Sequence, residues 1–304
     1  ALWPMCHLAV ARAPAPTTGA RSTTFPGVVS ETDVVLADGR TLHAYDTGSG
    51  SLPVFWLHGT PNVGAPPRPR FGLAEQLGIR WLGYDRPGYG GSTPRPGRDI
   101  ASAAGDVAAV ADALDVDSFA VVGHSGGAPH TLACAAVLPD RVRAAVGVSG
   151  YVPYGTPGVD WFAGMSDATA GALRAALAGR EAKERYEAAN EVDDPGFTQP
   201  DLDALAGDWS WFIEVVRPAL ANGPAPLIDD DLALVGPWGF DVTAIEVPLF
   251  LLHGGEDRMA PVAHALWLAD QCPTASLHVS QPDGHVSVLH QAGHALDWLA
   301  AQTG

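Results

Sequence analysis

The most constraining stretch of this chain is Val121-Val122-Gly123-His124-Ser125-Gly126-Gly127. A short apolar run over 119–122 ends in Gly-x-Ser-x-Gly, and a small-residue helical pattern over 128–137 follows. Strand, sharp turn and helix, in that order, lift a serine hydroxyl clear of a sheet. The turn is strained, so the serine needs neighbours without side chains, and Gly123 and Gly127 provide them. A glycine-rich turn that merely contains a serine would read the same over these positions. The flanks favour the exposed serine, and the rest of the chain must supply its partners.

The sequence has 304 residues, 47% apolar and 17% charged, which suits a large globular core and not a disordered chain. Its formal charge of −17 leaves no basic stripe to neutralise phosphates, so no nucleic-acid partner is expected. Anionic lipid is disfavoured on the same ground. The acidity reads as solubility. Cys6, Cys134 and Cys272 are too few and too scattered for a disulfide framework or a zinc site, and no metal or cofactor is expected. Cys134 reads as a small buried hydrophobe. No apolar run reaches transmembrane length. Residues 1–24, rich in Ala, Pro and Thr, lack a basic start followed by a long apolar core; they read as a tail outside the fold, and a cytoplasmic location is the expectation.

Residues 28–36 and 41–45 are β-branched runs joined by Ala37-Asp38-Gly39-Arg40, a hairpin signal. Val54-Phe55-Trp56-Leu57 is continuously apolar, as strands buried on both faces of a parallel sheet are. A proline-dense loop over 61–70, a short helix starting over 73–77, a strand over 79–84 and a helix over 100–114 lead to the serine turn. A strand over 144–148 follows. Alternation of this kind implies an α/β fold, a mostly parallel central sheet flanked by helices. From 152 to 246 the character changes to alanine-rich and acidic helical stretches (171–190 and 200–216) with clustered aromatics, which reads as an inserted helical cap. The alternation resumes with a strand over 248–252, a helix over 261–270, a strand over 275–279 and a last helix over 286–301. The expected division is a core of 25–151 and 247–304 with a cap of 152–246.

A serine hydroxyl is a poor nucleophile at neutral pH; it needs a base, and the base needs an orienting acid. In an open parallel sheet such groups collect at the carboxyl ends of the strands. Two strand-end loops follow the insertion: His253-Gly254-Gly255-Glu256-Asp257-Arg258 and Gln281-Pro282-Asp283-Gly284-His285. The order Ser125, Asp257, His285 is the one expected of a serine placed this way. His278 lies in a strand and His290 and His294 in the last helix, which leaves His285 as base. Glu256 is the rival of Asp257. Attack on a carbonyl also creates an oxyanion, for which the backbone N–H groups of Gly126 and Thr60 are the expected donors. His58 reads as a structural hydrogen-bonder.

His58-Gly59-Thr60-Pro61, Asp85-Arg86-Pro87-Gly88-Tyr89-Gly90-Gly91-Ser92, Gly123-His124-Ser125-Gly126-Gly127, His253-Gly254-Gly255-Glu256-Asp257 and Gly284-His285 together resemble the α/β-hydrolase superfamily. The resemblance covers about 28–304 with its landmarks in order. It implies a capped hydrolase with Ser125 as nucleophile, His285 as base, Asp257 as its partner, and Thr60 and Gly126 as oxyanion donors. Epoxide hydrolases and haloalkane dehalogenases of that superfamily carry an aspartate where Ser125 stands. Proline iminopeptidases resemble this chain more distantly, but typically have Gly-Gly-Ser-Trp-Gly and His-Gly-Gly-Pro at the two loops. In that reading Asp208 and Glu214 would hold a substrate's ammonium. The expected function is hydrolysis of a small, apolar carboxylic ester through an acyl-enzyme. Amide or carbon–carbon bond hydrolysis, cofactor-free peroxidation and a non-catalytic ligand receptor are the alternatives. Among the aromatics of the insertion, Trp161 and Trp211 are the expected pocket residues.

Overall fold

The computed structural model describes residues 29–189 and 196–303. The tail assigned to 1–24 lies outside the described residues, as do Val28 at the head of the first strand and Asn190 at the end of a helical stretch.

Strands β1 (Ser30–Val35) and β2 (Thr41–Asp46) pair antiparallel, with Val35 opposite Thr41. Asp38-Gly39 makes the turn: Gly39 sits at φ 85° and the Arg40 N–H donates to Asp38 Oδ1 at 3.1 Å. The remaining strands are β3 (Leu52–Leu57), β4 (Ile79–Tyr84), β5 (Phe119–His124), β6 (Val142–Val148), β7 (Leu249–Gly254) and β8 (Ala275–Ser280). They form one eight-stranded sheet in the order β1-β2-β4-β3-β5-β6-β7-β8. All pairs from β4 through β8 are parallel. The order reverses beside β3, so the loops after β3 and β5 open into the crevice where such sheets hold ligands.

The unbroken apolar runs follow from cover on both faces. Alternate side chains of β3 enter different cores: Phe55 and Leu57 pack with Phe119 and Val121 on one face, Val54 and Trp56 with Ala120 and Val122 on the other. Helices α1 (Phe71–Gln76), α2 (Ser102–Ala113), α3 (Gly127–Val137), α9 (Ala263–Gln271) and α10 (Ala292–Thr303) connect or follow the strands. The expected last helix over 286–301 is instead a 3-10 turn, Ser287–Gln291, followed by α10.

Between β6 and β7 the described residues contain helices and no strand: α4 (Asp167–Leu177), α5 (Arg180–Ala188), α6 (Gln199–Ala206), α7 (Phe212–Ala219) and α8 (Ala225–Val235). The sequence pattern understates the breaks. The stretch over 171–190 divides at Gly179, whose φ of 99° ends α4 before α5 begins. The stretch over 200–216 divides at a 3-10 turn, Asp208–Trp211. Helix α8 is not anticipated at all: Asp229, Asp230 and Asp231 interrupt its apolar pattern, yet Asp229 and Asp230 are buried. Cys134 is buried and free, as expected of a small core residue. No helix among the described residues is long and apolar enough to cross a membrane.

Candidate active site

Ser125 follows β5 directly and has a φ of 57°, a conformation uncommon for a residue with a side chain. Its N–H donates to Val148 O at 2.9 Å, tying the turn to β6. The flanking glycines are sterically required. A Cβ on Gly123 would lie 2.4 Å from Gly127 O and from Thr131 Oγ1, and one on Gly127 would lie 1.9 Å from Leu57 O. Helix α3 therefore enters against the β3 backbone. Gly127→Ala is expected to cost about 1–3 kcal/mol or more, since only backbone movement can relieve the clash; urea unfolding of the variant measures it.

The serine hydroxyl lies 2.8 Å from His285 Nε2, and His285 Nδ1 lies 2.8 Å from Asp257 Oδ2. Because the carboxylate only accepts, Nδ1 carries the proton and Nε2 is left to accept from Ser125. Asp257 and His285 are buried and Ser125 is half-buried. The second oxygen of Asp257 accepts from the Met259 and Ala260 N–H groups at 2.8 and 2.9 Å, which fixes the carboxylate plane. Burial works to raise the Asp257 pKa, but the charge and hydrogen bond of His285 outweigh it and the net shift is downward. For His285 burial pushes down, and Asp257 with its hydrogen bond, then Asp201, push up; the net shift is upward. A base strengthened in this way by a paired carboxylate suits proton transfer near neutrality.

The rival groups are elsewhere. Glu256 is exposed, and its N–H serves the loop by donating to Asp283 O. The rings of His278 and His294 lie against each other, with centroids 5.3 Å apart, and His290 is exposed on its 3-10 turn, not within the helix. His58 donates from Nδ1 to Gly59 O at 2.8 Å and accepts the Arg86 N–H at Nε2 at 3.0 Å, so both ring nitrogens bind loop backbone.

Thr60 and Gly126 face each other beside Ser125; a Cβ built on Gly126 falls 3.3 Å from Thr60 N. Neither N–H donates to a protein acceptor among the described residues. The loop that carries Thr60 is pinned from the insertion. Asp230 of α8 accepts from Thr60 Oγ1 at 2.6 Å, Tyr89 OH at 2.8 Å, Arg86 Nη2 at 2.6 Å and Arg98 Nη2 at 2.8 Å. Arg86 also donates to the carbonyls of His58 and Gly59. Sequence reasoning missed Asp230. Its only local signal is one acid in a run of three, and its two arginines are more than a hundred residues away in the chain.

Two small cavities meet at Ser125. One, about 60 Å³, is lined chiefly by Ile100, Leu173, Leu227 and Leu234, with Asp230 and Asp231 at its wall. The other, about 30 Å³, is lined by Phe197, Leu205, Phe212, Val216 and His285. Trp161 and Trp211 line neither. Trp161 is buried against Tyr151 and donates its indole N–H to Val152 O, while Trp211 lines a separate surface groove. Both stand apart from the two cavities because aromatic clustering in a sequence also marks packed interior: Trp161 packs on Tyr151 and His264, and Trp211 on Trp56 of β3. Asp208 and Glu214 also lie outside the two cavities; Asp208 borders the groove with Trp211, and Glu214 pairs with Arg68 on the surface. Lys183, the only lysine, is fully buried and lies 2.6 Å from both Glu187 and Asp231.

Known proteins with similar chains place this geometry in context. The sequence is 33% identical over 135 residues to an epoxide hydrolase from Caballeronia sordidicola, a match covering 43% of this chain and 40% of that one. It is 28% identical over 276 residues to a 2-hydroxymuconate semialdehyde hydrolase from Pseudomonas putida, covering 85% of this chain and 89% of that one. A thermophilic esterase from Thermogutta terrifontis superposes with a TM-score of 0.67 at 20% identity, over 90% of this chain and all of the other, which speaks for the fold. Residues 53–291 match the family described as the alpha/beta hydrolase fold. With that match spanning most of the sequence and the strand-end loops arranged as above, the chain belongs to the α/β-hydrolase family.

Proposed function

We propose that the protein is a serine hydrolase of small, uncharged carboxylic esters, working through an acyl-enzyme, with the inserted helices as a cap over the site. The observation that carries this reading is the unbroken hydrogen-bond chain from Ser125 through His285 to Asp257. Ser125 Oγ attacks the carbonyl carbon while its proton passes to His285 Nε2. The oxyanion forms between the Thr60 and Gly126 N–H groups. Collapse breaks the bond to the alkoxy oxygen, which leaves as the alcohol with the proton from His285. A water then gives a proton to His285 as its oxygen attacks the acyl carbon; the bond to Ser125 Oγ breaks, His285 returns the proton to that oxygen, and the acid leaves.

The chemistry of the nucleophile weighs against epoxide opening by the covalent route. A serine would form an ether, which water does not cleave, whereas an aspartate forms an ester. Charge weighs against an anionic substrate: no lysine or arginine is among the residues that line either cavity. Arg86, which donates to Thr60 Oγ1, and Arg98 are already bound to Asp230. Amide hydrolysis of the iminopeptidase kind loses its proposed ammonium site, since Asp208 and Glu214 stand away from Ser125. A pure receptor has no use for a base aligned on a serine.

The test compares matched neutral aryl esters, a half-ester bearing a free carboxylate, and a proline arylamide. Neutral esters are expected to be turned over fastest; turnover of the arylamide or the half-ester alone overturns the reading. Asp257→Asn is expected to lower kcat about 10⁴-fold and Glu256→Gln to leave it within a factor of a few. Equal effects of the two would place the orienting acid elsewhere.

A further inference from the structure

Asp201 belongs to the inserted helices, yet its carboxylate serves the loop that carries the base. It stands at the third residue of α6 in a capping box with Thr198: the Asp201 N–H donates to Thr198 Oγ1 at 3.3 Å and the Thr198 N–H to Asp201 Oδ2 at 3.0 Å. That box would be complete without any other partner. The same carboxylate nevertheless accepts the His285 N–H at 3.2 Å on Oδ2, and the Val286 and Ser287 N–H groups on Oδ1, both at 2.8 Å. The approach is close enough to dictate residue 284, since a Cβ on Gly284 would lie 2.2 Å from Asp201 Oδ2.

The other handles on His285 come from the core. Its carbonyl accepts from His124 Nε2 at 2.9 Å, and its ring donates to Asp257. The base is thus held by three elements: the β5 turn at its C=O, the β7 loop at its ring and the insertion at its N–H. We propose that Asp201 is a positioning residue for the reaction, setting where the His285 imidazole stands relative to Ser125 and adding a fixed negative charge beside it. This rests on the triad reading above. Phe197 and Leu205, on either side of Asp201 in sequence, line the cavity that His285 also lines, so the segment that meets substrate is the one that holds the base.

The ionisable groups facing His285 are Asp257 and His253 from the β7 end, His124 from the β5 end and Asp201 from the insertion. Burial pushes the His124 pKa down to about 3 and that of His253 down as well, so both rings are neutral and only the two carboxylates favour the imidazolium. The Asp201 carboxyl itself is ionised: burial raises its pKa, but the Ser287, Thr198 and Val286 N–H groups more than reverse that.

Asp201→Asn and Asp201→Glu in the full chain test the assignment. In Asp201→Asn, kcat/KM for a p-nitrophenyl ester is expected to fall about tenfold or more, through kcat and not KM. Loss of the charge removes support for the imidazolium, so the acid limb of the pH profile moves to lower pH. Asp201→Glu keeps the charge but displaces the oxygens: kcat falls and the acid limb stays. A folded Asn variant with wild-type kcat and an unmoved acid limb overturns the proposal. If the Asn variant does not fold, a Glu variant with wild-type kcat overturns it. NMR titration of the His285 ring reads the same shift without turnover. A ring titration that moves in Asp201→Asn, in a protein that hydrolyses no ester, would sink the proposed function and leave the positioning role standing.

Discussion

Ser125→Ala is expected to lower turnover of a short p-nitrophenyl ester about 10⁴-fold or more, to the residual rate that binding and the oxyanion donors sustain. The size of the effect follows from connectivity. His285 has its proton on Nδ1, bound to Asp257, and its free Nε2 is directed at one hydroxyl. Without that hydroxyl the base has only water to activate, and no acyl-enzyme forms. The site accepts the change sterically, because deleting one oxygen leaves the strained turn and its glycines intact, so the variant folds. Steady-state kinetics on both proteins, with a fluorophosphonate probe and mass spectrometry of the labelled peptide, measures the outcome. A variant with full activity, or a probe attached to another residue, removes Ser125 from the mechanism.

Asp230→Ala is expected to destabilise the protein by about 3–5 kcal/mol. The pairing need not stabilise more than an apolar cluster of the same shape would. Removing one partner is costly because it leaves the buried guanidinium groups of Arg86 and Arg98 charged and uncompensated. Arg98 already has Nε and Nη1 without a protein acceptor among the described residues, so it has little to fall back on. Urea unfolding gives the cost; a loss below about 1 kcal/mol would mean that the arginines reach other acceptors or water. Burial works to raise the Asp230 pKa, but Arg86 and Arg98 hold it well below the usual carboxylate range. A folded-state pKa below the unfolded one means that this stability is present at neutral pH and is lost as the pH falls through the folded value. Asp230→Ala should therefore flatten the acid limb of the stability curve. It also frees Thr60 Oγ1 from its partner at 2.6 Å, so any surviving fold should show a lower kcat.

The two acids Asp230 and Asp257 show where legibility stops. Asp257 could be read from the chain because it follows an apolar strand, and strand ends are where a parallel sheet gathers its chemistry. His285 and Ser125 follow strands in the same way, as do Thr60 and Gly126, and the structure brings these loops together. Strand and turn signals are local: apolar runs, Asp-Gly at a hairpin, glycines where a backbone must approach another. Asp230 and Asp201 sit in the insertion, and nothing within a helical turn of either one marks it as a partner of a core loop. Trp161 and Trp211 make the converse point, since burial in packed interior and exposure to a pocket select the same aromatic residues.

By itself, then, the sequence determined the α/β order of elements, the strained turn at Ser125, and the strand-end loops that carry His285, Asp257 and Thr60 to its side. These depend on periodicity and on backbone sterics, which act between near neighbours. The tertiary structure decided which charges meet: Asp230 with Arg86 and Arg98, Lys183 with Asp231, and Asp201 with the backbone of His285. A buried charge is tolerable only beside groups that satisfy it; for Asp230 and Asp201 those groups lie on core loops, and for Lys183 on another helix between β6 and β7, at separations along the chain that no local pattern encodes.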